Sequence, residues 1–240
     1  MQKQPKLPTT RGFCHRFVSA FVPGKWPVFE RLLRGSSPAR LLRDLDFVAI
    51  DLETTGLHAA RGDEIVAMAG VRIANGQVCP GTVFDRLVDP GRPVPARAVE
   101  IHGITDLMVA GQAGVLESLT ALRAFVGDAV IVGYATAFDL GFMTRRRPAG
   151  AVAFDRPALC VLRLSEYLDP SMRDHSLESV ARRFGVEILG RHTALGDATA
   201  AAEIFVRMLP MLEAHGVRTV LQAQRAARRA HFARRLHLGH

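Results

Sequence analysis

Lysine, cysteine and tryptophan are scarce in this 240-residue chain. All three lysines, Lys3, Lys6 and Lys25, lie near the N-terminus, and every later strong base is arginine. That bias reads as a GC-rich codon supply. The three cysteines, Cys14, Cys79 and Cys160, are widely separated and odd in number, with no CxxC pair and no Cys/His zinc spacing. They exclude a disulfide framework and point to a reducing, cytoplasmic setting. No apolar run reaches the roughly 18 residues that a membrane-spanning helix needs. The first residues have no uninterrupted apolar stretch of the kind that marks a signal peptide. Internal repeats and low-complexity tracts are also missing.

What remains is rich in apolar residues, at 48%. That is enough for one α/β domain with additional segments at its ends. The net charge is +8, and its placement is uneven. Residues 1–29 hold five Lys or Arg and no acid, and residues 221–240 hold five Arg and no acid. Residues 30–220 carry 21 basic and 23 acidic side chains, a net of −2. Such basic ends can track phosphates or be no more than solvated tails. The expected organisation is a basic N-terminal extension over 1–45, a catalytic-sized domain over 46–214 and a basic C-terminal helix over 215–240.

The apolar periodicity sets the elements. Asp46 to Leu52 reads as a buried strand, followed by strand-like runs over Glu64–Ala74 and Gln77–Val88. Asn75-Gly76 between the last two is a hairpin signal. A Pro- and Gly-rich loop over 89–97 leads to a short helix opened by Pro95. A helix over 115–126 precedes another buried strand, Ala129–Val132. Helices are then expected at about 137–146, 157–168, 176–184, 194–214 and 217–236, with Gly185 as a helix stop. Short amphipathic helices are also expected within 27–44. Strands first and helices later argue for a mixed α/β sheet with helices packed on it.

Three motifs carry chemistry. Asp51 and Glu53 are two residues apart at a strand end, so their side chains share a face. Neighbouring carboxylates repel unless a cation lies between them, and their hard oxygens suit Mg²⁺ or Mn²⁺. Thr54, Thr55 and Gly56 then turn the chain and bring backbone N–H groups close. Phe138-Asp139 follows the Ala129–Val132 strand, where Asp139 could also be the second half of a capping box with Thr136. The third motif is His192-Thr193-Ala194-Leu195-Gly196-Asp197. Five helical steps turn side chains apart by roughly 140°. His192 and Asp197 therefore converge only if His192 precedes a helix, Thr193 caps it and Asp197 sits in its first turn.

With Ile101-His102-Gly103-Ile104-Thr105 between the first two motifs, this ordered set resembles the DEDDh exonuclease superfamily. That group includes the proofreading epsilon subunit of bacterial DNA polymerase III. The resemblance covers about residues 45–210. It implies a ribonuclease H-like fold, a mixed five-stranded sheet flanked by helices. It implies that Asp51, Glu53, Asp139 and Asp197 hold two divalent ions, Mg²⁺ or Mn²⁺, and that His192 is the general base. Asp51 would bridge both ions, and Thr54, Thr55, His102 and Phe138 would contact the substrate.

The expected activity is 3′→5′ exonuclease cleavage of nucleic acid, releasing nucleoside monophosphates, with single-stranded DNA as first choice of substrate. A 3′→5′ exoribonuclease and a non-catalytic module that binds nucleic acid or a polymerase are the alternatives. The partners implied are the 3′ end of a DNA or RNA strand and a DNA polymerase subunit, although no sliding-clamp peptide is present. Arg145, Arg146 and Arg147 could guide phosphates or favour a helix C-terminus. His58 and His175 read as loop residues without a role. Two positions depart from the family pattern. Tyr134-Ala135 stands where His-Asn is usual, and Cys160-Val161-Leu162 stands where Asp-Thr-Leu is usual.

Overall fold

A computed structural model describes residues 40–144 and 152–238. The N-terminal extension up to residue 39, most of the 27–44 segment and Arg145–Arg147 lie outside the described residues.

The longest strands come first. Strand β1 (Phe47–Thr54) pairs antiparallel with β2 (Ile65–Ala74), which pairs antiparallel with β3 (Gln77–Leu87). Between β2 and β3, Asn75 and Gly76 have φ of 52° and 69°. A tight two-residue hairpin requires that left-handed pair, and Asn-Gly supplies it at low cost. Strands β4 (Val130–Gly133) and β5 (Ala158–Cys160) extend the other side of β1 in parallel, giving a five-stranded sheet in the order β3-β2-β1-β4-β5. The mixed α/β architecture is therefore as expected.

The helices are α1 (Ala96–His102), α2 (Asp106–Val109), α3 (Val115–Val126), α4 (Thr136–Met143), α5 (Val161–Leu168), α6 (Leu177–Phe184), α7 (Ala194–Ala214) and α8 (Val220–Leu238). One expectation is corrected here. Residues 157–168, read as one helix, begin as β5 and become helical only at Val161. Ala158–Cys160 pair with Ile131–Gly133. A three-residue strand is too short to show a period of its own beside a helical pattern.

Strand alternation divides the core between the two faces of the sheet. Phe47, Ala49 and Val71 face the side covered by α5, α6, α7 and α8. Val48, Ile50, Leu52 and Met68 face α3 and α4. The small buried residues Ala194, Ala198, Ala201 and Ala202 let α7 approach β1 and β2 closely. Phe205 of α7 meets Phe47 of β1 edge-on at 4.8 Å, both rings fully buried.

The C-terminal helix is docked on this body. Gln224 Nε2 of α8 donates to Ala158 O of the edge strand β5 at 3.2 Å. Arg234 donates to Met172 O and Arg173 O and faces Glu166 of α5. The bridge between Leu41 and Thr219 ties the start of the described chain to the approach to α8. Among the described residues nothing pairs with the outer side of β3, which is largely exposed and contains Pro80.

Because the Phe47–Phe205 contact joins sheet and helix at the centre of the larger core, Phe205→Ala should cost about 3–5 kcal/mol of folding free energy. Urea denaturation followed by far-UV circular dichroism would measure it; a loss below about 1 kcal/mol would mean that this contact is not central.

Candidate active site

The site forms where β1 outruns β4. The two strands pair only as far as Ala49↔Val132, while β1 continues to Thr54. Beyond that point α4 packs against β1 and brings the buried Asp139 to its flank, where the Leu52 backbone and its own backbone partly offset the effect of burial on the carboxyl. Gly133, at the end of β4, leaves room for this approach. A Cβ there would stand 3.2 Å from Ile50 O and 3.5 Å from Asp139 Oδ2. Asp139 thus lies in the body of α4 beside β1. The helix cap position is Ala135, and Thr136 Oγ1 is spent on Gly133 O and Leu159 O, so the capping-box arrangement does not form.

Alternation along β1 sends Asp51 and Glu53 to the face on which α7 packs. There they meet Asp197, and oxygens of the three carboxylates lie within 4.8 Å of one another. Asp197 is in the first turn of α7, capped by Thr193, whose Oγ1 accepts from Gly196 N at 3.1 Å. His192 precedes the cap with φ 63°. The loop is pressed so closely on the helix start that a Cβ on Gly196 would lie 2.1 Å from Gly190 O, so glycine is required. The geometry by which His192 and Asp197 can converge is therefore the one observed.

Arg191 also enters this cluster. Its Nη1 donates to Asp197 Oδ2, and its Nε donates to Glu178 Oε1 of α6 at 2.7 Å. The same Nη1 is 3.1 Å from His192 Nδ1. Asp197 Oδ1 is buried and has no hydrogen-bond partner.

The carboxylates are held at a cost in electrostatic energy. Burial, then the charges of Asp139, Asp197 and Glu53, push Asp51 well above its ordinary range. Burial and Asp197 push Glu53 up to about 8. Burial raises Asp139 to about 7. Asp197 is raised to about 6, burial again leading while Arg191 and the His192 amide oppose it. A crowded, desolvated set of hard oxygens with an unpartnered carboxylate oxygen is a site that fits a divalent cation of the Mg²⁺ or Mn²⁺ type. His192 is lowered by burial, then by Arg191, so the ring is neutral at pH 7.

The remaining predicted residues form the surroundings. His102 ends α1, and its Nδ1 accepts from Ile104 N at 3.0 Å. Its Nε2 is buried without a partner. Burial lowers His102; the Thr54 backbone lies near enough to oppose that shift but not in hydrogen-bonding geometry. Thr54 Oγ1 donates to Gly56 O at 2.7 Å. Thr55 is buried and braces the 55–64 loop, its hydroxyl accepting from Glu64 N and donating to Asp63. Phe138 packs on Phe142 at 4.9 Å.

The two departures from the family pattern turn out to be neighbours. Cys160 Sγ donates to Tyr134 O, and Tyr134 OH donates to His175 O at 2.5 Å. His175 lies in a loop, as the sequence suggests, but it is buried there and bonded to Ser165 Oγ at 2.7 Å, so it serves packing. Arg191 and Glu178 are the site residues that sequence reasoning missed. Arg191 carries no signal beyond its place before His192, and Glu178 has none.

A protein from Rhodobacter capsulatus described as DNA polymerase III subunit epsilon-like is 43% identical over 196 residues, 80% of this chain and 28% of that protein. The chain thus spans less than a third of that relative. The DNA polymerase III subunit epsilon of Aquifex aeolicus is 37% identical over 183 residues, 74% of this chain and 89% of that protein. Among solved structures, exonuclease X in complex with 5′-overhanging duplex DNA superposes with a TM-score of 0.60 at 22% identity, covering 75% of this chain and 99% of that one. The RNase_T exonuclease model matches residues 48–205, which contain all five motif residues, and the chain belongs to that exonuclease family.

Proposed function

We propose that the protein removes nucleotides from the 3′ end of a nucleic-acid strand by two-metal-ion hydrolysis, with single-stranded DNA or a frayed 3′ terminus as its substrate. The observation that carries this reading is the convergence of Asp51, Glu53 and Asp197 within 4.8 Å. The charge of Asp139 reaches Asp51, and Arg191 Nη1 touches both Asp197 and His192.

Asp51, Glu53 and Asp197 would hold one ion, and Asp51 with Asp139 the other. When bound, these ions supply the Lewis acidity that stabilises charge on the attacking and leaving oxygens of a phosphodiester. His192, neutral at pH 7, takes the proton of the attacking water. His102, Thr54, Thr55 and Phe138 would be the residues that contact the terminal nucleotide. The chain's likeness to the two epsilon proteins supports a DNA polymerase subunit as partner, and with it a cytoplasmic place of action.

Two predictions follow from the site. Asp51→Ala should abolish activity, and His192→Ala should lower turnover by at least about 100-fold while leaving Mn²⁺ binding intact. The assay is digestion of 3′- and 5′-labelled DNA and RNA strands with Mn²⁺ or with EDTA. Stepwise, metal-dependent shortening from the 3′ end confirms the reading and ranks the substrates. Full activity in His192→Ala would remove the general-base assignment.

The second prediction concerns pH. The native carboxyls hold protons that the unfolded chain releases near its ordinary values, 4.5 for a glutamate such as Glu53. Metal-free protein must therefore lose stability as pH rises from about that value through about 8, the raised value of Glu53. Saturating Mn²⁺ should remove this loss. Thermal melts across that range, with and without the ion, provide the check; a metal-free midpoint that climbs with pH would contradict the raised values.

A further inference from the structure

We infer that Arg191 is a resident counter-ion that competes with the divalent cation for Asp197, and that Glu178 is the anchor to which it retires when the cation binds. The inference rests on the reading of Asp51, Glu53 and Asp197 as metal ligands.

The geometry gives Arg191 two anionic partners at once. Nη1 is on Asp197 Oδ2, inside the cluster, and Nε is on Glu178 Oε1, whose side chain is 45% exposed at the rim. With metal–oxygen distances of about 2.0–2.6 Å, a divalent ion on Asp197 Oδ2 would stand within about 5 Å of Nη1. Like charges at that separation in a partly buried site disfavour joint occupancy. Rotation of the outer side-chain bonds about the Glu178 contact would withdraw Nη1 while keeping a charge-assisted hydrogen bond.

The same Nη1 bears on the general base. A guanidinium donates only, so His192 Nδ1 accepts from it, and the proton of the neutral ring is then on Nε2. Both ring nitrogens are committed, and no lone pair is left for the attacking water. In this arrangement His192 cannot take a proton. Withdrawal of Arg191 to Glu178 would release Asp197 and His192 in one movement, tying readiness of the base to presence of the ion.

The test is Mn²⁺ binding, measured by isothermal titration calorimetry and by electron paramagnetic resonance of the free ion. It uses the full chain and four variants. Arg191→Gln should bind Mn²⁺ about tenfold more tightly than wild type, a change of about 1.4 kcal/mol. Glu178→Gln, which leaves Arg191 no alternative anion, should bind several-fold more weakly. The double variant should match Arg191→Gln, because the Glu178 effect passes through Arg191. Arg191→Lys, which keeps the charge, should stay near wild type and shows that the site tolerates substitution there.

Metal-free Arg191→Gln should also melt below wild type at pH 8, with the gap closing when Mn²⁺ is added. Weaker Mn²⁺ binding by Arg191→Gln would overturn the inference, since Arg191 would then be orienting Asp197 for the ion. A Glu178→Gln effect that persists in the double variant would likewise overturn it. If wild type binds no Mn²⁺ at millimolar concentration, the metal-site reading itself fails, a result distinct from either of these.

Discussion

The crowding of carboxyl groups at the end of β1 is the constraint around which the rest of the structure is arranged. Asp51 and Glu53, half-buried on β1, meet the buried Asp197 of α7, and the buried Asp139 of α4 stands near enough for its charge to reach Asp51. A folded chain ordinarily avoids such an arrangement, because each desolvated charge raises the cost of the next. Here the surrounding structure holds it in place. The paired core of β1 and β2 fixes the strand that carries Asp51 and Glu53. The alanine-lined face of α7 brings Asp197 down onto that strand, and the early end of β4 leaves the flank of β1 open to Asp139 of α4. The stability lost at the site is offset by the two apolar cores on either side of the sheet.

Small residues make this convergence sterically possible. Gly133 leaves space for Asp139 against β1, and Gly196 allows the 189–190 carbonyls to press on the first turn of α7. These glycines do no chemistry. They decide how far apart the charged groups stand, and at this range a displacement of an ångström changes both the repulsion and the fit of a cation.

The sequence made the fold class legible through local signals, and the five motif residues legible only as an ordered set that resembles a known family. A buried strand ending in Asp-x-Glu, an Asn-Gly hairpin and a Thr-capped helix with Asp in its first turn each follow from neighbouring residues. What it hid depended on tertiary contact. Ala158–Cys160 became a strand only because Ile131–Gly133 offered a partner. Asp139 taken alone read more readily as part of a helix cap, and only the structure shows that Thr136 is engaged elsewhere and that no such cap forms. His175 looked idle in sequence, but Tyr134 and Ser165 enclose it. The involvement of Arg191 with Glu178 spans two helices and has no spacing rule to announce it.

The docking of α8 on β5 bears on a hazard common to open sheets. A bare edge strand presents unpaired amides and carbonyls to any other extended chain. Gln224 and the body of α8 close that opportunity at β5. At the opposite edge, β3 contains Pro80, which lacks an amide proton, and Arg86, a charge that discourages stacking of one sheet edge upon another. The long strands needed to place two carboxylates on one face are thus kept from recruiting copies of themselves, one edge by a helical cover and the other by its own composition.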